Sequence, residues 1–441
     1  MATLETPKSI LVRSKISWLT DSSWKQVKEY SPTFLTEFLI MASQILFYKL
    51  AAHYLGQTGF SEYALARRTV SLLQPAVMLG LGVGLPRYIA MAHVRANHDH
   101  VAHYFGATIR YVAVSTLLVV AALLLAKDAF AYLLYGSVRY RYLIPPLALM
   151  LIGLSLHGVI YAYLRGHLLM TRANILNLVN LGMAPALVFI WFSTSASSLL
   201  WGLGAAWTVV ALTALVWTPL HAVARSSRTE HRELLSYGLQ RVPGDFILLA
   251  LLALPAIFTA HTAGIQNAGY VAFGASLTNM IAAVFAPVGV ILLPKASRSA
   301  GKGLLDELRT EIRLIVLGTV VVSTMMVAVL EMYAPSLIRL FLGSGFESSA
   351  AIVRIVAIAA MPLALYYVLR SVIDASHHRA VNAINLSASL VIFLAGSSLT
   401  FWIRGNTPLV LWSFVCGTAL LAILTLREVL VILRPKVQRI L

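Results

Sequence analysis

Charged side chains inside long apolar stretches are the residues of this sequence that could carry chemistry. Glu37 lies in the first such stretch, and Arg241 and Asp245 lie four residues apart in the seventh. That spacing places Arg241 and Asp245 on one face of a helix, where they form a local ion pair or face a ligand. Arg354, in the tenth stretch, has no acidic residue three or four positions away. Because an unpaired charge is costly in apolar surroundings, we expect Arg354 to face a water-filled cavity.

Two further arginines, Arg67 and Arg68, open the second stretch. They either flank a membrane interface or join the other two arginines around a space lined by stretches one, two, seven and ten. Guanidinium groups bind phosphate and pyrophosphate in bidentate geometry, so such a space would have net positive walls and suit an anion. Glu37 and Asp245 would hold the arginines in place as counter-charges, or would bind a coupling cation.

Catalytic motifs do not accompany these charges. The sequence contains no GxxxxGK[ST] phosphate loop, no HExxH and no GxSxG. The longest predicted outward connection, 127–142, holds a single acidic residue, Asp128. We interpret the four histidines of 93–103 as part of a solvated basic loop rather than as a metal site. The sequence therefore predicts a protein that is not an enzyme and that needs neither a cofactor nor a metal.

The composition excludes an ordinary soluble protein. Apolar residues make up 59% of the 441 positions and charged residues 12%, about half the share found in soluble domains. The single cysteine, Cys416, allows no intrachain disulfide and no cysteine metal cluster. The net charge of +17 would suggest a nucleic-acid partner in a soluble protein, but an apolar chain of this kind first calls for a membrane interpretation.

Twelve mostly apolar stretches are each long enough to cross a bilayer, which takes about 20 residues. We therefore predict an all-α integral membrane protein with about twelve transmembrane helices. The stretches are 32–54, 66–91, 104–126, 143–164, 173–193, 199–220, 237–260, 267–293, 312–334, 347–369, 381–402 and 409–432.

The distribution of Lys and Arg predicts the orientation of these helices. With the N-terminus inside, 25 of these residues fall on inner segments and 7 on the outer side. Because cytoplasmic segments carry the excess of Lys and Arg, both termini are predicted to be cytoplasmic. The basic excess is then mainly a topology signal, and no nucleic-acid partner is expected. Residues 1–30 carry five Lys and Arg without an apolar segment, which predicts a cytoplasmic arm and not a cleaved signal peptide.

The two halves of the chain repeat residues in the same order, at spacings of 205 to 208 positions. The matched pairs are Tyr63 and Tyr270, Pro86 and Pro294, Gly136 and Gly343, Arg165 and Arg370, Asn174 and Asn382, and Asn177 and Asn385. Six spans per half give both halves the same orientation, related by an axis along the membrane normal. We predict an N-lobe at 31–222, a cytoplasmic linker at 223–236, a C-lobe at 237–433 and a cytoplasmic tail at 434–441, with the two six-helix lobes around a central cavity.

Three stretches resemble the polysaccharide (O-antigen) flippase family of the multidrug/oligosaccharidyl-lipid/polysaccharide exporter superfamily. None of them is a catalytic signature, so the resemblance is one of pattern, and the duplicated plan extends it over the whole chain. Members of the lipid II flippase branch usually have two further helices, so we expect no peptidoglycan role. The stretches are GLGVGLPRYIA at 80–90, AGYVAFGASLTNMIAAVFAPVGVILLPKASR at 268–298 and LIRLFLGSGFESSAAIVRIVAIAAMPLAL at 337–365.

This resemblance implies a flippase that moves undecaprenyl-pyrophosphate-linked oligosaccharide across the cytoplasmic (inner) membrane by alternating access. Arg241, Arg354, Arg67 and Arg68 would then meet the pyrophosphate or acidic sugars. The implied partners are the lipid-linked oligosaccharide, the bilayer, a coupling cation and other polysaccharide-assembly proteins. Two alternatives stay open: a multidrug/cation antiporter of the same superfamily, whose cavities tend to be acidic, and a membrane-embedded polysaccharide ligase or polymerase.

The predicted topology can be checked with alkaline phosphatase fusions. A reporter fused after Asp128 should be active, because this residue is predicted to lie outside, and a reporter fused after Arg228 should be inactive in the cytoplasm. The enzyme activity of intact cells, normalised to fusion level, is the measurement. The reverse pattern of activities would overturn the orientation.

Overall fold

The computed structural model describes residues 22–94, 98–219, 228–302, 305–376, 380–402 and 407–433. Helices account for nearly all of these residues, and the described ranges contain no β-strand. The predicted N-terminal arm lies outside them up to residue 21, as do residues 223–227 of the predicted linker and the whole predicted tail.

Ten helical segments in the described ranges are long and apolar enough to cross a membrane. Two of them, Ser31–Met78 with 48 residues and Arg232–Leu293 with 62 residues, are about twice as long as a single crossing requires. Arg232–Leu293 contains two predicted spans, and Ser31–Met78 contains one and the first part of the next. The chain is thus an all-α, multi-pass membrane protein, and the prediction of about twelve transmembrane helices is confirmed.

The N-terminal half builds its six spans from helices α1 to α8. A π-helical turn, Leu178–Met183, joins α6 to α7 within the fifth span. The helices are α1 (Ser22–Met78), α2 (Leu81–Val94), α3 (His98–Leu125), α4 (Lys127–Tyr135), α5 (Ile144–Gly166), α6 (Met170–Asn177), α7 (Ala184–Phe192) and α8 (Ala196–Ala214).

The C-terminal half follows the same plan with helices α9 to α15. A short 3₁₀ turn, Ser344–Phe346, precedes its fourth span. The helices are α9 (Arg228–Ala283), α10 (Ala286–Lys302), α11 (Leu305–Phe341), α12 (Ser349–Ala357), α13 (Ala360–Ser376), α14 (Val381–Trp402) and α15 (Thr407–Ile432).

One glycine in each half reverses the chain between the first two spans. Gly56 breaks α1 with φ 64° and ψ −170°, and Gly264 breaks α9 with φ 79° and ψ 171°. Positive φ is readily adopted by glycine, which lacks a Cβ. The two glycines lie 208 positions apart and have nearly the same conformation, so the backbone itself carries the duplication predicted from the sequence.

The halves meet closely at the end of the bundle predicted to face outward. A Cβ on Gly269 of α9 would overlap the backbone of Ser61 in α1. The Ser61 hydroxyl donates to the carbonyl oxygen of Gln266 over 3.1 Å. Beside this contact, the Gln266 amide donates to the side-chain oxygen of Gln57, and the Gln57 amide donates to the carbonyl oxygen of Gly345. Small residues thus bring the two halves into backbone contact, as they do between many membrane helices.

Replacing Gly269 with Ala should therefore destabilise the protein, by about 1–3 kcal/mol for overpacking at the Ser61 backbone. Gly318→Ala is the matched control, because a Cβ there meets no atom within 4 Å and alanine is the better helix former. Thermal unfolding in detergent measures both. Equal melting temperatures for the two variants would show that a Cβ at position 269 fits beside Ser61 without loss of stability.

Candidate functional site

A cavity of about 580 Å³ lies at the boundary between the two halves. Most of its wall comes from the N-terminal half, and Asp245, Leu248 and Leu249 of α9 close one side. The polar residues of its lining are Glu37, Gln44, Arg67, Ser71, Gln74, His157, Tyr161, Asn177 and Asp245.

Three of the six predicted site residues line this cavity, namely Glu37, Arg67 and Asp245. The lining thus contains two carboxylates, one guanidinium and the imidazole of His157. This corrects the expectation of net positive walls, which assumed that every in-span arginine faces one shared space.

Arg67 is held without an acidic partner. Its Nη1 donates to the hydroxyl of Tyr63 over 3.1 Å, and its guanidinium carbon lies 5.8 Å and 5.7 Å from the ring centroids of Tyr48 and Tyr63. None of the ion pairs within the described ranges includes Arg67. The tyrosines fix the guanidinium by hydrogen bonding and cation–π contact, and its charge remains available to an anionic ligand.

The other three predicted arginines do not line the cavity. Arg68 is buried, and its Nε donates to the carbonyl oxygen of Ala272 over 3.4 Å, which ties α1 to α9. Arg241 is exposed, and its Nη1 lies 3.4 Å from the hydroxyl of Tyr237. No ion pair between Arg241 and Asp245 is present in the described part of the chain.

Arg354 differs most from its prediction. Its Nε donates to the carbonyl oxygen of Glu331 over 3.0 Å and lies 3.8 Å from the carboxylate of the same residue. Glu331 is 23 positions earlier, on α11, so a search of neighbouring positions could not find this counter-charge. Arg354 therefore pairs within the C-terminal half and does not line the cavity.

A buried polar network that the sequence analysis missed contacts the exposed Glu37 on one side. The amide of Asn177 donates to the Glu37 carboxylate over 3.2 Å, and the Asn177 oxygen lies 3.0 Å from Nε2 of His157. The other ring nitrogen of His157 lies 3.0 Å from the amide of Asn180 in the π-helical turn. His157 and Asn180 are 5% and 0% exposed. An ionisable side chain inside an apolar span was the available signal for His157.

The polar site has an equivalent in the C-terminal half. Glu37 and Asp245 are 208 positions apart, a pair that the sequence analysis did not recognise although it matched their neighbours. In the fourth span of each half, an arginine lies close to a tyrosine ring four positions earlier, with the guanidinium carbon 5.5 Å from Tyr161 and 6.0 Å from Tyr366. The repeat therefore includes the charged residues and not only the fold.

Comparison with known proteins gives one family match. The family model described as "Polysaccharide biosynthesis protein" matches residues 27–300. No curated protein matches the chain.

Solved structures of exporter-superfamily transporters share the fold. The inward-facing form of a multidrug resistance MATE transporter of the MOP superfamily has a TM-score of 0.71 at 14% identity, over 88% of this chain and 94% of that chain. The eukaryotic MATE transporter AtDTX14 has a TM-score of 0.65 at 15% identity, over 93% and 96%. A MOP superfamily transporter from Pyrococcus furiosus, described as having a binding pocket of reverse polarity, has a TM-score of 0.61 at 13% identity, over 92% and 95%. At these identities the likeness establishes the fold.

His157→Ala should lower the stability of the protein by about 2 kcal/mol or more, because it leaves the Asn177 oxygen and the Asn180 nitrogen unpaired at about 1–3 kcal/mol each. His261→Ala is the control, since His261 is more exposed and its ring makes a single hydrogen bond, to the carbonyl oxygen of Leu133. Melting temperatures in detergent compare the two. A loss for His261→Ala as large as that for His157→Ala would contradict the role of the network.

Proposed function

Because the chain belongs to the polysaccharide biosynthesis protein family, we propose that this multi-pass membrane transporter is a flippase for undecaprenyl-pyrophosphate-linked oligosaccharide. It acts in the cytoplasmic membrane with both termini in the cytoplasm, and alternating access of the two halves moves the headgroup from the inner to the outer leaflet. The bilayer and other polysaccharide-assembly proteins are its further proposed partners. No bond of the substrate changes in this proposal.

One observation carries the proposal: Arg67 faces the cavity at the boundary between the halves with neutral tyrosines and no carboxylate as its partners. Inside a membrane, a guanidinium that is not neutralised by the protein attracts an anion strongly. Pyrophosphate offers oxygens for bidentate hydrogen bonds to such a group. We therefore assign the pyrophosphate to Arg67.

The positions of Arg241, Arg68 and Arg354 support a contact with the substrate to different degrees. Arg241 is exposed one helical turn before Asp245, which suits a first contact for an entering headgroup. Arg68 and Arg354 already bond to Ala272 and Glu331. For these two, contact with substrate requires that the existing bonds break.

The two carboxylates are proposed to act apart from the pyrophosphate. Glu37 shares its carboxylate with Asn177 and, through it, with His157. A carboxylate held by one buried amide can bind a cation or a proton without unfolding its surroundings. We therefore place the coupling cation at Glu37, with Asp245 as its counterpart across the cavity boundary.

A multidrug/cation antiporter is the second candidate function. The observation that favours it is the pair of carboxylates in the cavity lining, since carboxylates attract cationic drugs. Arg67 opposes this alternative, because an unneutralised guanidinium repels a cationic ligand from the same space. A transporter of this fold with a pocket of reverse polarity is known from Pyrococcus furiosus, so the fold accommodates both polarities.

Loss of the gene should leave the complete lipid-linked repeat unit trapped in the inner leaflet. Glycosidase digestion of intact spheroplasts measures this, and the lipid-linked glycan of the deletion strain should be protected. Arg67→Ala should transport at least about tenfold less than the intact protein, and Arg67→Lys should retain more activity because it keeps the charge. Arg339→Ala, which removes an exposed pair with Glu347, is the matched control and should transport normally.

Other outcomes separate the alternatives. A unit that is already outside in the deletion strain would indicate a ligase or polymerase. Unaffected glycans with lower tolerance to cationic dyes would indicate a drug exporter. Normal transport by Arg67→Ala, expressed at the normal level, would show that Arg67 does not bind the pyrophosphate.

A further inference from the structure

Two arginines, one from each half, meet at a single tyrosine near the end of the bundle predicted to face the cytoplasm. Tyr237 of α9 packs against α2, where a Cβ on Gly84 would lie 3.4 Å from its ring. The guanidinium carbons of Arg87 on α2 and Arg241 on α9 lie 4.6 Å and 6.0 Å from the centroid of this ring. Both guanidinium groups also hydrogen bond to the hydroxyl of Tyr237, Arg241 through Nη1 at 3.4 Å. One neutral side chain therefore holds this arginine pair, Arg87 and Arg241, together.

No carboxylate neutralises the arginine pair within the described ranges. Both side chains are exposed, and neither Arg87 nor Arg241 takes part in an ion pair there. Two acids of α9 are close along the helix. Glu233 accepts a hydrogen bond from the hydroxyl of Tyr104 over 3.1 Å, and Asp245 lines the cavity. Because two like charges side by side repel each other, an anion that joins the pair would stabilise the arrangement.

The arginine pair lies beside the inner end of the cavity. Gly80 belongs to the cavity lining, and a Cβ there would overlap the carbonyl oxygen of Gly238, the residue after Tyr237. On α9, Asp245 of the lining follows Arg241 by one helical turn. A headgroup that enters between the halves at this end therefore meets the arginine pair before it reaches Arg67.

The duplication of the chain does not account for both arginines. Position 87 corresponds to Lys295 in the other half, so a basic residue stands at both positions. Position 241, however, corresponds to Thr33, which carries no charge. The second arginine is thus a feature of this boundary alone and not a property that both halves inherited.

We propose that Arg87 and Arg241, positioned by Tyr237, form a second binding site for a diphosphate group at the inner mouth of the cavity. Guanidinium groups bind phosphate oxygens in bidentate geometry, and a diphosphate offers oxygens to two of them at once. Because the two arginines belong to different halves, a diphosphate held by both also connects the halves at this end. The site rests on the proposed function, in which the substrate is a polyprenyl diphosphate that moves on to Arg67.

Inorganic pyrophosphate tests the site with the full-length protein in nanodiscs of phosphatidylcholine. An Arg67→Ala background removes the other proposed anion site, and this protein should still bind pyrophosphate in titration calorimetry. Adding Arg87→Gln or Arg241→Gln should weaken that binding about tenfold, the effect of losing one charge-assisted hydrogen bond. Arg172→Gln is the matched control, because it removes another exposed arginine predicted to lie at the same end, and it should leave the affinity unchanged.

Two further measurements separate a binding site from a structural contact. Tyr237→Phe keeps the ring but removes the hydroxyl that orients both arginines, so it should weaken pyrophosphate binding without lowering the melting temperature. Arg87→Gln should likewise leave the melting temperature of the ligand-free protein unchanged, as surface substitutions usually do. A lower melting temperature with unchanged affinity in these variants would show that the arginine contacts are only structural, and would overturn the site.

Displacement of pyrophosphate identifies the source of the diphosphate. A polyprenyl diphosphate added to the nanodiscs should displace it from the Arg67→Ala protein. Displacement by phosphatidylglycerol and not by the polyprenyl diphosphate would assign the arginine pair to bilayer phospholipid and overturn its link to the substrate.

The site and the proposed function can fail separately. If the Arg67→Ala protein binds no pyrophosphate, or binds it regardless of Arg87 and Arg241, the second site is wrong and the flippase proposal stands. If the repeat unit of the deletion strain is already outside, the flippase proposal is wrong even where pyrophosphate still binds at the arginine pair.

Discussion

A polar group inside a bilayer must find its partner within the protein, and this constraint organises the whole molecule. Water is absent from the hydrocarbon region, so an unpaired amide or carboxylate there is costly. In the N-terminal half, hydrogen bonds among Glu37, Asn177, His157 and Asn180 connect the first, fourth and fifth spans. Moving any one of these helices would break bonds that nothing in the lipid could replace. The N-terminal half should therefore move as a unit, and a change of access has to occur at its boundary with the other half.

The contacts between the two halves suit such a change of access. The ion pairs of the described chain, Arg141 with Asp128, Arg339 with Glu347 and Arg354 with Glu331, each lie within one half. Several contacts between the halves are made by small residues and uncharged acceptors, as between Gly269 and Ser61 and between Tyr48 and Ser276. Contacts of this kind hold two surfaces together without fixing buried opposite charges across them. Separating the halves then exposes hydroxyl and amide groups, which an incoming headgroup or water can satisfy at low cost.

The sequence predicted those features that depend on local pattern and repetition. Span lengths follow from runs of apolar residues, and the duplication follows from matched residues such as Gly136 and Gly343, so the twelve-span fold was accessible. The site was predicted in part, because side chains meet across helices that are far apart in the chain. Arg354 has its counter-charge 23 positions away, and His157 has partners on two segments of another span. Glu37 and Asp245 are separated by the same offset as the asparagine pairs, so their equivalence could be read from the sequence. Only the structure shows that both residues line one cavity.

The unequal completion of the two polar sites argues for a division of labour between the halves. Here the N-terminal copy links Glu37, Asn177, His157 and Asn180 by hydrogen bonds, whereas the C-terminal copy retains Asp245, Asn382 and Asn385 but lacks the histidine and the second network asparagine. A carboxylate such as Glu37, which faces the cavity and is held by one buried amide, is suited to a small ion or proton, whose binding changes charge but hardly changes shape. With Arg67 in the same lining for the anionic part of the substrate, the proposed cavity would match two parts of a transport cycle: a coupling ion and a pyrophosphate.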